Sequence, residues 1–92
     1  MLPRADRAAT IAGLATMAAR ASGVDAEEID ESTRLREDLG LDSLALIELA
    51  VHIEEEWGVP AEQFSLPKLV TLSDVADVIT AYRGGRADAG AP

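Results

Sequence analysis

The 92-residue chain contains no cysteine, a single histidine and a single lysine, and these shortages exclude several kinds of chemistry. Without cysteine there is no disulfide framework, no thiolate nucleophile and no zinc cluster, and one histidine cannot build a metal site by itself. A chain of this length is expected to form one domain with a modest core rather than a deep catalytic cavity. Metal and redox functions are therefore not expected.

Long apolar runs are also missing. No segment approaches the roughly 20 apolar residues that a membrane span needs. The N-terminus shows no basic segment followed by an apolar stretch of signal-peptide length. We therefore expect a cytoplasmic location.

Basic residues are scarce, with 8 Lys and Arg against 17 Asp and Glu, and the net charge is −9. Because nucleic acids and anionic membranes are bound by clustered Lys and Arg, neither is expected as a partner. Between Glu37 and Ser65 there is no Lys or Arg. The eight acids of this stretch are Glu37, Asp38, Asp42, Glu48, Glu54, Glu55, Glu56 and Glu62. They form either a solvated acidic face that aids solubility or a docking surface for basic partners.

Apolar residues recur at helical spacing, which predicts an all-α bundle of three main helices and one short helix. The main helices are predicted over about residues 4–21, over 43–57 and from about residue 71. Each is followed by glycine, a common helix end, and these glycines are Gly23, Gly58 and the pair Gly84-Gly85. The remaining residues 86–92 are small and polar and are expected to form a disordered tail after a domain over 1–85.

Two further segments connect these helices. Residues 24–41 lack a sustained period but are too apolar for a free linker, so we expect a long ordered loop anchored on the core. The anchoring residues are Val24, Ile29, Leu35, Leu39 and Leu41. The short helix is predicted at Ala61–Phe64, with Pro60 at its first position and Pro67 ending it.

The second helix carries two apolar stripes when its residues are spaced by about 100°. The stripe predicted to face the core contains Leu46, Leu49, Ala50, Ile53 and Trp57. The other contains Leu44, Ile47 and Val51, with glutamates beside it. This second stripe either packs against the short helix or the long loop, or forms a docking site with an apolar centre and a charged rim.

Ser43 stands at the start of this helix, within the stretch LGLDSLALIEL. A catalytic serine needs a base within hydrogen-bond reach. His52 lies nine residues further, on the opposite side of the same helix, and nothing in the sequence places Lys68 near Ser43. Catalysis by this serine is therefore not expected.

A calcium loop is excluded as well, because a loop that begins at Asp38 has Gly40 at its third position and Leu49 at its twelfth. Two roles remain for Ser43: a helix N-cap, or the acceptor of a covalent modification. A phosphate ester would lie where the helix N-terminus favours negative charge.

The residues around Ser43 resemble those of the acyl carrier proteins. Asp42-Ser43-Leu44 is similar to the phosphopantetheine attachment motif of that family. The motif is preceded by Leu35-x-x-Asp38-Leu39-Gly40-Leu41 and followed by Ile47-Glu48-Leu49 and Ile53-Glu54-Glu55-Glu56-Trp57. The start of the long loop, residues 24–29, and the start of the last helix, residues 72–75, are also similar, so the likeness covers about residues 5–83.

The resemblance implies a four-helix acyl-carrier bundle in which Ser43 bears 4′-phosphopantetheine, transferred from coenzyme A by a phosphopantetheinyl transferase. The thiol of this arm then holds an acyl group as a thioester, so the chain is a non-catalytic phosphoprotein that serves partner enzymes. The partners implied are an acyl- or aminoacyl-loading enzyme, an acyltransferase or a ketosynthase, and a monomer is expected. By the same analogy, the residues presented to partners are Asp42, Leu44, Ile47, Glu48, Val51 and Glu55.

Two departures distinguish the chain from fatty-acid carriers. Ala45 stands where an acid is usual, and residues 63–67 (Gln-Phe-Ser-Leu-Pro) replace an acidic third helix. The chain is more similar to carriers of polyketide or related antibiotic biosynthesis. A discrete peptidyl carrier that loads an amino acid is the nearest alternative, although Asp42 before the serine favours the acyl side. An unmodified helical interaction module, in which Ser43 only caps, is the alternative from a different class.

Overall fold

The computed structural model describes the backbone of residues 3–90 and the side chains of residues 7–83. Within residues 3–90 there are three α-helices, α1 (Pro3–Ser22), α2 (Ser43–Trp57) and α3 (Leu72–Gly90). Three 3₁₀ turns connect them, at Ala26–Glu28, Ala61–Gln63 and Leu66–Lys68. Apart from one isolated bridge that pairs Arg34 with Thr71, residues 3–90 contain no β-structure. The predicted all-α bundle is therefore confirmed.

The core lies between the three helices, because α1 packs against both α2 and α3. The stripe of α2 that was predicted to face inward does so, with Leu46, Leu49, Ala50 and Ile53 buried and Trp57 half-buried. The other helices contribute Leu14 and Ala18 of α1 and Leu72, Val75 and Ile79 of α3. Within the described part of the chain, every helix is too short or too polar to cross a bilayer.

Trp57 packs against α1 at a glycine. A Cβ atom added to Gly13 would lie 2.9 Å from Cζ2 of the indole ring, which is closer than two carbon atoms normally approach. Gly13 lowers the helix propensity of α1 by about 1 kcal/mol relative to alanine. The close approach of the ring gives the physical reason why a glycine stands inside this helix.

Two of the three predicted helix ends are confirmed. Gly23 and Gly58 have φ angles of 83° and 74°, so each ends its helix in the left-handed conformation that glycine adopts easily. The end predicted at Gly84-Gly85 is wrong, because α3 continues to Gly90. Glycine costs about 1 kcal/mol in a helix but does not forbid it. Residues 91 and 92 lie outside the described residues, and the division into a domain over 1–85 and a disordered tail over 86–92 stays a prediction.

The short helix predicted at residues 61–64 is present as a 3₁₀ turn at Ala61–Gln63, and a second 3₁₀ turn follows at Leu66–Lys68. Pro60 is the N-cap of the first turn rather than its first residue, and Pro67 lies inside the second turn rather than ending the first. Proline is tolerated in the first turn of a helical segment because the N–H that it lacks would have no partner there. Phe64, between the two turns, is buried and separates them.

The long loop is ordered, as predicted, and is fixed to the start of α3. Ile29, Leu35, Leu39 and Leu41 are buried in the core. Three backbone hydrogen bonds join the loop to the first residues of α3 and to the segment just before it. Leu35 N–H donates to the Val70 carbonyl at 2.8 Å, Leu72 N–H to the Thr33 carbonyl at 3.0 Å, and Ser73 N–H to the Glu31 carbonyl at 2.8 Å. The loop that leads into α2 is thereby held against the start of α3.

Helix α3 begins with a reciprocal capping box in which an aspartate takes the usual place of glutamate. The Thr71 hydroxyl accepts from the Asp74 N–H at 3.3 Å, and the Asp74 carboxylate accepts from the Thr71 N–H and the Val70 N–H, both at 2.9 Å. The hydrogen bond from Thr71, followed by that from Val70, lowers the pKa of the Asp74 carboxyl below its ordinary value.

This lowered pKa predicts how the stability of α3 depends on pH. The contribution of Asp74 is complete above the pKa of the unfolded chain, near 3.8, and is lost as the pH falls through the lower pKa of the folded protein. We expect Asp74→Asn to lower the free energy of unfolding at about pH 7 and to have a smaller effect at about pH 2.5. Denaturant unfolding at both pH values measures this, with Glu62→Gln, an exposed carboxylate outside the box, as the control. An Asp74→Asn effect of equal size at both pH values would contradict the prediction.

Candidate functional site

The segment that precedes α2 folds into a compact turn around three buried leucines, Leu35, Leu39 and Leu41. Gly40 has a φ angle of 70°, which reverses the chain between the last two of them. The Leu41 N–H then donates back to the Leu35 carbonyl at 3.1 Å, and the Gly40 N–H donates to the Arg36 carbonyl at 3.0 Å. This turn brings the residues near position 36 next to the start of α2.

Asp38 closes the beginning of the same turn. Its carboxylate accepts from the Arg34 N–H at 2.8 Å and also contacts the Arg34 guanidinium, which forms a second ion pair with Glu37. The backbone hydrogen bond from Arg34 is the main reason that the pKa of Asp38 lies below its ordinary value, and the side-chain bond adds to it. Arg34 is thus fully occupied by the two acids that follow it.

The N-cap of α2 is Asp42 rather than Ser43. Asp42 has extended backbone angles (φ −91°, ψ −177°), and its carboxylate accepts from the Ala45 N–H at 2.9 Å. Ser43 is the first residue of the helix and is exposed. The interpretation in which Ser43 caps α2 is therefore wrong: its neighbour already occupies the capping position, and its own hydroxyl is directed elsewhere.

The hydroxyl of Ser43 accepts a hydrogen bond from the side chain of Arg36 instead. Nη2 of Arg36 donates to Oγ of Ser43 over 3.1 Å. Arg36 was not among the site residues predicted from the sequence. The available signal was its position as the last basic residue before the acidic stretch, together with the glycine that turns the chain back towards it.

This arrangement does not activate Ser43 as a nucleophile. A guanidinium stays protonated at any pH that a folded protein experiences, so Arg36 cannot accept the serine proton. Nδ1 of His52 lies 3.8 Å from Oε1 of Glu55, a neighbour on the same helix. Lys68 lies on the last 3₁₀ turn and is exposed. Across the described residues, no group of three or more potential metal ligands comes together.

The stripe of α2 that does not face the core is exposed. Leu44, Ile47 and Val51 are 63%, 48% and 43% exposed, respectively. Asp42, Glu48 and Glu55 are exposed at its edges. We call these six residues the α2 outer face. The interpretation in which its apolar residues are packed under the short helix or the loop does not hold, since none of the three is buried.

The fold and the site define a small all-α domain that presents a serine hydroxyl beside an arginine at the start of a helix. A phosphate ester fits this position, because the hydroxyl is exposed, the helix cap does not depend on it and a guanidinium already contacts its oxygen. The chain is similar to known proteins in this same region. The family model described as "Phosphopantetheine attachment site" matches residues 12–80.

Curated relatives agree with the family model. An acyl carrier protein of Saccharopolyspora erythraea is 45% identical over 56 residues, which cover 61% of this chain and 59% of that protein, less than two thirds of its length. One of Thermotoga maritima is 39% identical over 62% of this chain and 70% of the relative. One of Streptomyces coelicolor is 35% identical over 77% of this chain and 82% of the relative. The chain belongs to the acyl carrier protein family, whose prosthetic group is 4′-phosphopantetheine.

Proposed function

We propose that Ser43 is the residue to which 4′-phosphopantetheine is attached, and that the chain carries acyl groups as thioesters on the thiol of that arm. The observation that carries this proposal is that the residue that caps α2 is Asp42 and not Ser43. Asp42 caps the helix, so the exposed hydroxyl of Ser43 is available for modification without loss of the cap. The thiol that the chain lacks is supplied by the prosthetic group.

The modification requires a partner enzyme that brings its own base. In the transfer, Oγ of Ser43 forms a bond to the phosphorus that bears the pantetheine of coenzyme A. The bond from that phosphorus to the rest of coenzyme A breaks, adenosine 3′,5′-bisphosphate leaves, and the serine proton passes to a base of the transferase. Arg36 cannot take this proton. The carrier supplies the hydroxyl and the transferase supplies the base, so an acyl carrier of this kind does not itself act as the catalyst.

The α2 outer face is the surface that we propose for the phosphopantetheinyl transferase and for the later acyl-handling enzymes. Its three apolar residues begin beside Ser43, and the acids at its edges belong to a stretch without Lys or Arg. A partner that fits it would carry an apolar patch ringed by Lys and Arg. Exposed charge pairs of this type speed association and are weakened by salt, which suits a carrier that must leave each enzyme in turn.

We further propose a polyketide or related secondary-metabolite pathway. Two features support it: Ala45 directly after the attachment motif, and the two 3₁₀ turns over residues 61–68 where fatty-acid carriers have an acidic helix. Asp42 before the serine favours acyl over aminoacyl cargo. A discrete peptidyl carrier is the second candidate, and the mass of the cargo on the protein isolated from its native host separates the two.

Incubation with coenzyme A and a promiscuous phosphopantetheinyl transferase tests the attachment. We expect the intact mass of the wild type to rise by one phosphopantetheinyl unit, and Ser43→Ala to gain nothing. Because Asp42 provides the cap, Ser43→Ala should keep the helix content and unfolding midpoint of the wild type, while Asp42→Ala should lower stability by about 1 kcal/mol.

Two results would contradict the proposal. One is an unmodified wild type, which would favour a helical interaction module that is not modified. The other is a mass gain that persists in Ser43→Ala, which would move the attachment to another residue. Circular dichroism of both variants shows whether a failure to react reflects the missing hydroxyl or a lost fold.

A further inference from the structure

We propose that Arg36 is a positioning residue that holds the phosphodiester at the base of the phosphopantetheine arm. The inference rests on the proposed attachment at Ser43 and adds to it a residue outside the Asp42-Ser43-Leu44 motif. The observation that motivates it is the hydrogen bond of 3.1 Å from Nη2 of Arg36 to Oγ of Ser43, the atom that would be esterified.

Among the described side chains, no acid forms an ion pair with Arg36. Arg34, two residues earlier, pairs with Glu37 and Asp38, and Arg7 pairs with Glu31 and Asp77. Arg36 takes part in none of the ion pairs formed within residues 7–83, although the chain has 17 acids for 8 basic residues. Its side-chain partner is a neutral hydroxyl, so its charge is available to an anion placed at that hydroxyl.

The backbone of Arg36 is held in place on both sides. Leu35 before it is fully buried and bonded to the Val70 carbonyl, and the carbonyl of Arg36 itself accepts from the Gly40 N–H. Because the backbone of this turn is fixed, the side chain of Arg36 takes fewer positions than it would on a mobile loop. The contact with Ser43 therefore follows from how the turn is built.

The chemistry of the prosthetic group matches this cation. A phosphodiester has two non-bridging oxygens that share one negative charge, and the planar fork of a guanidinium can donate to both. Loading adds this negative charge to a chain whose net charge is already −9, near Asp42 and the other acids of the stretch. Arg36 is the adjacent positive charge that offsets the repulsion. Lysine would keep the charge but lose the two-point geometry.

The test compares apo and holo forms of the whole protein by NMR. In the wild type, we expect the Nε–Hε signal of Arg36 to move when Ser43 is loaded, while that of Arg34 stays in place. The ³¹P signal of the phosphodiester should differ between wild type and Arg36→Gln, and the difference should shrink at high salt because the pair is exposed. Arg36→Lys should give an intermediate ³¹P shift.

Arg20→Gln is the matched control, since it removes the same charge from an exposed position on α1. The ³¹P signal of this variant should coincide with that of the wild type. Intact mass is recorded for every sample, so failure of the wild type to load counts against attachment at Ser43 rather than against Arg36. Loading at Ser43 with an unchanged Arg36 Nε–Hε signal would overturn the proposed role. If the transferase rejects Arg36→Gln, the wild-type Nε–Hε comparison decides alone.

Discussion

Leu46→Ala is expected to lower the free energy of unfolding by about 3 kcal/mol, a large part of the stability of a small domain. Leu46 is 1% exposed and belongs to the hydrophobic core. Its removal takes apolar surface out of the core and leaves a cavity that the neighbouring helices fill only in part. Denaturant unfolding followed by circular dichroism gives the free energy.

Leu44→Ala is the matched control, because it makes the same substitution two residues earlier on the same helix. Leu44 is 63% exposed, and a change at an exposed position normally alters stability by about 0.5 kcal/mol or less. Equal destabilisation by the two variants would mean that the faces of α2 are assigned wrongly.

Glu48→Lys is expected to slow phosphopantetheinyl transfer by about tenfold at low salt, since a rim charge acts mainly on the rate of association. Glu48 lies on the α2 outer face and is exposed, so the fold should not change. The measurement is kcat/KM of the transferase for apo protein over a range of salt concentrations. The deficit should narrow as salt screens the interaction.

Two variants show whether position or net charge is responsible. Glu28→Lys makes the same charge change on the 3₁₀ turn at Ala26–Glu28, which is not part of the outer face, and should leave kcat/KM near the wild-type value. Ile47→Ala removes apolar contact without changing charge and should slow transfer to a similar extent at all salt concentrations. A deficit of equal size in Glu28→Lys and Glu48→Lys would show that net charge, rather than the outer face, governs docking.

The sequence predicted α2 from Ser43 to Trp57 and the burial of its inner stripe because both depend on local periodicity and on a glycine stop. The same rule failed at Gly84-Gly85, since glycine weakens a helix without ending it. The region around Pro67 was also predicted wrongly, because a proline that ends one helical turn can equally begin the next.

The site was predictable in its motif but not in its contacts. Aspartate and serine are both good N-cap residues, so the sequence could not choose between Asp42 and Ser43. In the structure, the extended backbone of Asp42 places this residue, and not Ser43, at the N-cap position. The approach of Arg36 to Ser43 depends on the turn at Gly40 and on the attachment of the loop to α3, which join residues that no helical period relates.

The close contact between Trp57 and Gly13 provides an optical probe within the native chain. Trp57 is the chain's single tryptophan, so its fluorescence carries no background from other indoles. The ring reports the distance between α1 and α2 at the end of α2 remote from Ser43. A partner that binds the outer face without deforming the bundle will leave the emission of Trp57 unchanged. A partner that separates α1 from α2 will shift this emission to longer wavelength. The unlabelled protein can therefore distinguish rigid docking from opening of the bundle.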